Sequence, residues 1–432
     1  MKFDLSNTER AAIALAEKNK IDIEEAEKLL FESHICLEAS DEIKTSYSLQ
    51  VAFLSCFNAG NRIFKGGVIC NIPDDIPNLS NLNGETFNEV LSNLFPFSEE
   101  HKLNDSTQKI LFGKHPTSVN EIELICSGWQ GGINIFNSDV NSLKNNHTNV
   151  CFGACLASSY ALFWVFNKTF SMIENSDKES FGYSLWTNSS EYDWIENMNE
   201  GPSNISLPSN IWTVGLGHLG QAYLWILANQ KLNQEIEILL QDFDTLGQEN
   251  LGSQLLSYDS QIGLSKTRIC ADFLKKVGIN SKIIEKPFNE FDQQDSALKQ
   301  FKVLLTGLDN IDARRGINPD RFQVCIDGAT NGKLINFDSF TFRNLNLLDK
   351  SPEEIWIKEK GTEQEIFHEN LYKRVEEKGG CGILTNVGIS TPFVGLFGAS
   401  IIMSELAKNV INDNKLIAFS GKMRATGSYS IA

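Results

Sequence analysis

The stretch "TVGLGHLGQAYLW", residues 213–225, constrains this chain more than any other. A short apolar run, Ile211–Val214, leads into glycines 215, 217 and 220, spaced G-x-G-x-x-G. An apolar helical pattern follows at once. A strand that turns through such glycines into a helix aims backbone N–H groups and the positive end of the helix dipole at one point, a cradle for phosphate. The segments behind it alternate in the same way. "EIEILLQDFD" reads as a strand, "SKTRICADFLKKVG" as a helix, "SKIIEKPF" and "FKVLLTGLD" as strands, and "ARRGIN" as the start of a helix. "FQVCIDGAT" and "KLINFDSFTF" add two strands. Strands alternating with helices predict an α/β domain with a doubly wound, mostly parallel sheet.

The 432 residues leave room for two or three domains. A polar stretch from Asn188 to Asn210, holding Gly201, Pro202 and Pro208, is the best boundary. We therefore expect an N-terminal domain at 1–205 and the glycine-loop domain at 206–432. In the first, residues 1–35 carry helical spacing, and "EIELICSGWQGGINIF" reads as a strand pair. "CFGACLASSYALFWVFNKTF" reads as a buried helix after a polar loop at 137–149. No internal repeat is strong enough to assign.

A net charge of −17 argues against binding nucleic acid or an anionic membrane, both of which need a cationic face. Nine cysteines, an odd number with no C-x-x-C pair, argue against a disulfide framework or a four-cysteine zinc site. The opening "MKFDLSNTER" has no apolar signal core, and the apolar run near Ala154–Phe166 is shorter than the roughly 20 residues of a membrane span. The expected location is the cytoplasm.

The glycine loop alone does not choose its nucleotide. Asp242 and Asp244 follow the second strand, where an acid can take ribose hydroxyls. Asp242 can equally close the turn after its strand. Lys266 at a helix start and Asp309 after "FKVLLTGLD" separate the alternatives. Hydride transfer needs neither, whereas attack on a phosphate needs cations on the triphosphate and a carboxylate to place Mg²⁺.

In order and spacing these blocks resemble the ubiquitin-activating superfamily, which includes the enzymes that activate sulfur carriers for thiamine and molybdopterin synthesis. Its pattern is G-x-G-x-x-G, D-x-D followed by N-L-x-R-Q, then G-x-x-K, then D-N-x-x-x-R. This sequence supplies Gly215, Gly217 and Gly220; Asp242 and Asp244; Asn250, Leu251 and Gln254; Gly263 and Lys266; Asp309, Asn310 and Arg314. The resemblance implies ATP and Mg²⁺, with Asp244 on the ribose, Asn250 and Lys266 on phosphates, and Asp309 on the metal. Gln254 falls in the same nucleotide-binding block, and Arg314 reads as structural. One departure matters: the arginine of N-L-x-R-Q is Ser253 here. Its loss removes a phosphate-neutralising charge, so another cation substitutes or the site is slow or dead.

The resemblance also raises a cysteine. Cys381, in "EEKGGCGILTNVG", lies between glycines after a crossover expected at about 344–390. Thioester-forming relatives carry their acceptor in this region. Dimeric relatives supply an arginine in trans from the N-terminal helix, and Arg10 occupies that helix here. The N-terminal half then reads as an inactive adenylation half, giving a homodimer or an intramolecular pseudo-dimer; an unrelated substrate-recognition domain is the alternative. The implied reaction is adenylation of the C-terminal carboxylate of a ubiquitin-like protein, a thioester on Cys381, and transfer to a conjugating-enzyme-like protein. Bacterial members of this kind occur in antiviral, ubiquitination-like operons. Adenylation of a sulfur carrier or peptide without thioester stays open, as does a non-catalytic scaffold, for which Ser253 is the motive.

Overall fold

Two sheets with a layer of helices between them organise the chain. The computed structural model describes residues 10–95, 106–136, 148–172, 180–189, 201–330, 337–357, 391–411 and 415–423. The N-terminal half runs α1 Arg10–Asn19, α2 Ile23–Glu32, β1 Ile35–Ala39, α3 Tyr47–Ile63, β2 Val68–Asn71, α4 Phe87–Leu94, β3 Gln108–Phe112, β4 Glu121–Ser127, β5 Gln130–Ile135, α5 Phe152–Phe170 and β6 Phe181–Ser184. The C-terminal half runs β7 Asn210–Val214, α6 His218–Asn229, β8 Glu237–Gln241, α7 Lys266–Lys276, β9 Asn280–Ile284, α8 Glu290–Gln294, β10 Val303–Thr306, α9 Ile311–Arg315, β11 Val324–Thr330, β12 Ser339–Asn344, α10 Pro352–Ile355, α11 Pro392–Ile411 and β13 Ala418–Lys422.

The C-terminal sheet has the order β9-β8-β7-β10-β11-β12-β13. Its first five strands pair in parallel, and the β11–β12 and β12–β13 pairings are antiparallel. This is the doubly wound α/β sheet that the strand–helix alternation predicts. The N-terminal sheet has the order β2-β1-β3-β4-β5-β6, again with its last two pairings antiparallel. It equals the C-terminal order with the β9 edge strand removed. The helices fall in step: α3 follows β1 as α6 follows β7, and α5 lies between β5 and β6 as α11 lies between β12 and β13.

The middle layer explains why these helices are apolar on all sides. A helix wedged between a sheet and another helix has no solvent face to leave polar. α3, α5, α6 and α11 are buried almost throughout, and one core cluster runs across both halves. Rings lock α5 to α11: Tyr160 and Phe397 have centroids 5.6 Å apart, Phe166 and Phe393 5.5 Å. Truncating one such buried ring to alanine costs ~3–5 kcal/mol in typical cores. Polar groups register the halves as well. Trp225 Nε1 on α6 donates to Ser55 Oγ on α3 at 2.9 Å, and Gln230 Oε1 accepts the Cys151 N–H at 3.1 Å. By length and composition α11 could cross a membrane, yet 83% of its most apolar window is buried inside the protein.

Some boundaries depart from the sequence expectation. "ARRGIN" ends a helix rather than starting one. Asn310 caps α9 through the Asp312 and Ala313 N–H groups at 2.8 and 3.2 Å, and Gly316 closes it one turn later. β8 stops at Gln241 because the Asp242 carboxylate turns the chain.

Candidate active site

The strand order of the C-terminal sheet reverses between β7 and β10. The helices that follow them pack on opposite faces: α6 joins the central core, whereas Ile317 and Phe322, just past α9, join a second core around Trp212 and Trp356. The carboxyl ends of the two strands therefore border a crevice, the usual ligand position in a doubly wound fold.

Each loop glycine has a different duty. Gly215 holds φ +83°, and a Cβ there would sit 2.7 Å from the Gly307 carbonyl oxygen. Its N–H donates to Gln241 O at 3.0 Å. A Cβ on Gly220 would overlap the Gly215 carbonyl, lying 3.0 Å from its carbon and closer to its oxygen. Gly217 is different. It precedes α6 without any side-chain cap, and the atom nearest a Cβ there is Gln254 Nε2 at 4.0 Å. The start of α6 thus faces open room with its first N–H groups uncommitted to a cap.

The acids divide their work. Asp242 takes the Leu216 N–H on Oδ2 at 2.6 Å and the Asp244 N–H on Oδ1 at 2.8 Å, which fixes the glycine loop to the turn after β8. Burial pushes its pKa up, opposed by the nearby Lys266 charge and by those two N–H bonds. Asp244 is 49% exposed and pairs with Lys266 Nζ at 2.9 Å. Lys266 opens α7, is buried up to its ammonium, and donates its backbone N–H to Asp244 O at 3.0 Å.

Asn250 and Gln254 are buried in the segment after the β8 turn, with Gln254 beside Gly217. Asn250 Oδ1 accepts the Gly247 N–H at 3.1 Å, and Gln254 Oε1 accepts from Gln221 Nε2 at 2.8 Å. Ser253 is buried and turns its hydroxyl back to Asn250 O at 3.3 Å. Asp309 lies exposed on the loop after β10, and its carboxylate has no hydrogen bond or ion pair among the described residues. Arg314 braces that loop from behind. It donates to Leu308 O and to Gly328 O, and its Nε is 3.2 Å from Asp327 Oδ1. Burial raises the pKa of Asp327, with Arg314 opposing. Asn318 sits beyond α9, its N–H bound to Gln293 Oε1.

The contacts set Gln254 beside Gly217 and Lys266 beside Asp244, and Asp309 follows β10 at the same carboxyl edge of the sheet. The uncapped N–H groups at the α6 start, the paired Lys266 and Asp244, and the exposed Asp309 carboxylate lie at the carboxyl ends of neighbouring strands. Such a place could hold a polyphosphate at Gly217 and Lys266 and a ribose at Asp244. Among the described residues no group of three or more His, Cys, Asp or Glu could hold a metal alone. Mg²⁺ is ordinarily held by one or two carboxylates plus substrate phosphates, so the single Asp309 fits it.

Two predicted residues fall outside this description. Cys381 lies outside the described residues. Arg10 opens α1, but its side chain is outside them too. Seven of the eight described cysteines have thiols raised by burial, against the thiolate form. All but Cys70 are buried, and burial lifts the thiol of Cys36 to about 11 and those of Cys56 and Cys70 to about 12. Cys126, Cys151, Cys270 and Cys325 are raised by burial as well. His218 packs its ring on Gly395 of α11 instead of facing solvent.

Sequence reasoning gave no role to Arg62 and Gln221. Arg62, 3% exposed on α3, reaches from the N-terminal half to the carbonyls of Leu251, Leu255 and Ser257. The available signal was an arginine inside a helix with no polar face.

Comparison with known proteins follows the same division of the chain. One family model, described as the BilD N-terminal domain, matches residues 34–185; another, the BilD C-terminal domain, matches residues 207–413. The bacterial E1-like protein BilD of Collimonas sp. (strain OK412) is 25% identical over 446 residues, spanning 99% of this chain and 93% of that protein. The NEDD8-activating enzyme E1 catalytic subunit of Caenorhabditis elegans is 32% identical over 150 residues, 31% of this chain and 34% of that one. The molybdopterin-synthase adenylyltransferase of Salmonella typhimurium (strain LT2) is 30% identical over 236 residues, 53% of this chain and 81% of its own.

Proposed function

The chain belongs to the ubiquitin-activating-enzyme-like superfamily, and on that premise we propose that it uses ATP and Mg²⁺ to adenylate the C-terminal carboxylate of a ubiquitin-like protein. The observation that carries the reading is the open room at the α6 start, where the atom nearest a Cβ on Gly217 is Gln254 Nε2 at 4.0 Å, together with the Lys266–Asp244 pair at 2.9 Å. The N–H groups after Gly217 and the Lys266 ammonium bind the triphosphate, with Asn250 beside them. Asp244 holds the ribose, exchanging part of its pairing with Lys266 for the sugar hydroxyls. Mg²⁺ supplies charge neutralisation on the phosphates, and Asp309 is the carboxylate that would hold it.

The protein substrate's carboxylate attacks the α-phosphorus. The α–β phosphoanhydride bond breaks and pyrophosphate leaves. The Cys381 thiolate then attacks the acyl carbon, AMP departs, and a thioester remains for transfer to a conjugating-enzyme-like partner. Support for Cys381 comes from the other cysteines: seven of the eight described have thiols raised by burial, against what thiolate chemistry needs.

The N-terminal half serves in this reading as an inactive adenylation half. Its strand order supports that, and so does its own crevice. The loop after β1 carries Ser40, Asp41 and Glu42 in place of glycines, and Ser40 Oγ already caps the Glu42 N–H at 3.2 Å. Glu38 there holds Lys114 at 2.7 Å. Acids at that mouth repel phosphate.

Calorimetric titration tests the reading. ATP·Mg²⁺ binds more tightly than NAD, and Asp244→Ala weakens ATP. Preference for NAD, or no effect of Asp244→Ala, would sink it. ATP binding without pyrophosphate exchange, with the acyl substrate supplied, would favour a scaffold.

A further inference from the structure

Carbonyl groups of the 251–257 segment hold the buried guanidinium of Arg62. Its Nη1 donates to Ser257 O at 2.6 Å and Leu251 O at 3.3 Å, its Nη2 to Leu255 O at 2.7 Å, and its Nε to Asn58 Oδ1 at 3.0 Å. Asn58, one turn earlier on α3, donates to Leu255 O at 3.1 Å. The rings of Phe95 and Tyr258 flank the guanidinium at 5.2 and 5.3 Å. Only a planar fork of five donors can satisfy three carbonyls of one segment and a side chain of its own helix together.

The other side of that segment is tied to the nucleotide loop. Gln221, in the first turn of α6, takes the Leu256 N–H on Oε1 at 2.8 Å. Its Nε2 donates to Gln254 Oε1 at 2.8 Å, Ser257 Oγ at 3.0 Å and Leu216 O at 3.1 Å. A continuous set of hydrogen bonds therefore runs from α3 of the N-terminal half, through residues 251–257, to the glycine loop. Buried networks of this kind are rigid when fully satisfied. Ser253, folded onto its own backbone, adds no long-range anchor to the segment.

We infer that Arg62 is a positioning residue for nucleotide binding, by which the N-terminal half sets the place of residues 251–257 and, through Gln221, of the glycine loop. The affinity arm of this inference rests on the ATP reading above. Arg62 acts through Gln221 and Gln254 and not on the phosphates.

The test uses the full chain with Arg62→Lys, Arg62→Met and Gln221→Leu. ATP·Mg²⁺ is the probe, read by calorimetry, and amide hydrogen exchange is followed for segments 214–221 and 247–258 at a temperature where every variant is folded. Arg62→Met should speed exchange in both segments at least tenfold and weaken ATP at least tenfold. Arg62→Lys, which keeps the charge and loses the fork, should fall between it and the wild type. Gln221→Leu should affect 214–221 and ATP while Arg62 keeps its packing. Should Arg62→Met not fold, the other two variants decide. Destabilised Arg62 variants with wild-type exchange at 214–221 and wild-type ATP affinity would reduce Arg62 to a strut between halves and overturn the inference. If the wild type binds no ATP, the functional reading fails, and exchange at 214–221 still decides whether the clamp exists.

Discussion

Replacing Gly217 and Gly220 by alanine, one at a time, should separate binding from folding within a single loop. At Gly220 the new methyl has no place. It would overlap the Gly215 carbonyl, so the β7–α6 turn must shift by roughly an ångström. Overpacking of this sort costs ~1–3 kcal/mol or more, and the gain of about 1 kcal/mol in helix propensity does not offset it. At Gly217 the backbone has φ −80° and ψ −143°, open to other residues, and the nearest atom to the methyl is Gln254 Nε2 at 4.0 Å. Its stability cost is the weaker N-cap, ~1 kcal/mol at most. The methyl would occupy the room in front of the α6 N–H groups. Displacing a phosphate by about an ångström forfeits two or so charge-assisted hydrogen bonds of ~1.5–3 kcal/mol each. ATP·Mg²⁺ affinity should then fall by ~10²–10⁴ in Gly217→Ala, at nearly unchanged chemical stability. Calorimetric titration and urea unfolding on both variants check this. Wild-type ATP affinity in Gly217→Ala would refute the assignment of the open room to phosphate, and wild-type stability in Gly220→Ala would refute the overlap with the Gly215 carbonyl.

Three further outcomes are expected. Asp309→Ala abolishes ATP–pyrophosphate exchange at unchanged stability, because its exposed carboxylate packs on nothing; exchange at the wild-type rate would remove it from the mechanism. In native protein at pH 7.5, iodoacetamide labels Cys381 ahead of the buried, raised thiols, and Cys381→Ala loses a thiol-sensitive conjugate with the ubiquitin-like partner while keeping exchange. A conjugate that persists in that variant would assign the acceptor elsewhere. The third concerns a buried pair in α11, where Lys408 Nζ lies 2.6 Å from Glu405 Oε1, both nearly inaccessible. Burial raises Glu405 above its usual 4.5, with Lys408 opposing. A raised folded pKa means stability fully present below about 4.5 and lost as pH rises through the folded value. Lys408→Met raises that value further, so its deficit, ~3–5 kcal/mol at pH 7.5, should shrink towards pH 5; an equal deficit at both pH values contradicts the cause.

The strand–helix alternation was legible in the sequence because its spacing is local. The glycine loop, the acids after β8 and Lys266 at the α7 start are ordered along the chain, and the structure brings Asp244 and Lys266 to 2.9 Å. Sequence reading stopped short in the N-terminal half for a physical reason. β1 and β2 are short, and the loop between β1 and α3 lacks glycines, so the order shared by the two sheets leaves no repeat in the letters. Arg62 was illegible because its acceptors lie about 190 residues away, beyond any motif. The helix after Asp309 was misplaced because a one-turn helix with an asparagine cap and a glycine stop carries no periodicity.

The helical layer shared by the two sheets makes the molecule one cooperative unit. α6 and α11 belong by sequence to the C-terminal half, but much of what buries them is α3 and α5. Neither half can melt without exposing the other's helices, so unfolding should merge into a single event rather than two. The same sharing splits the N-terminal half into two regimes of tolerance. Around Glu38, Ser40 and Glu42 the proposed inactive half should tolerate substitution, since that reading asks no chemistry of its crevice. Along α3 and α5 it is held to the shape of its neighbour, because those helices bury the helices of the other half.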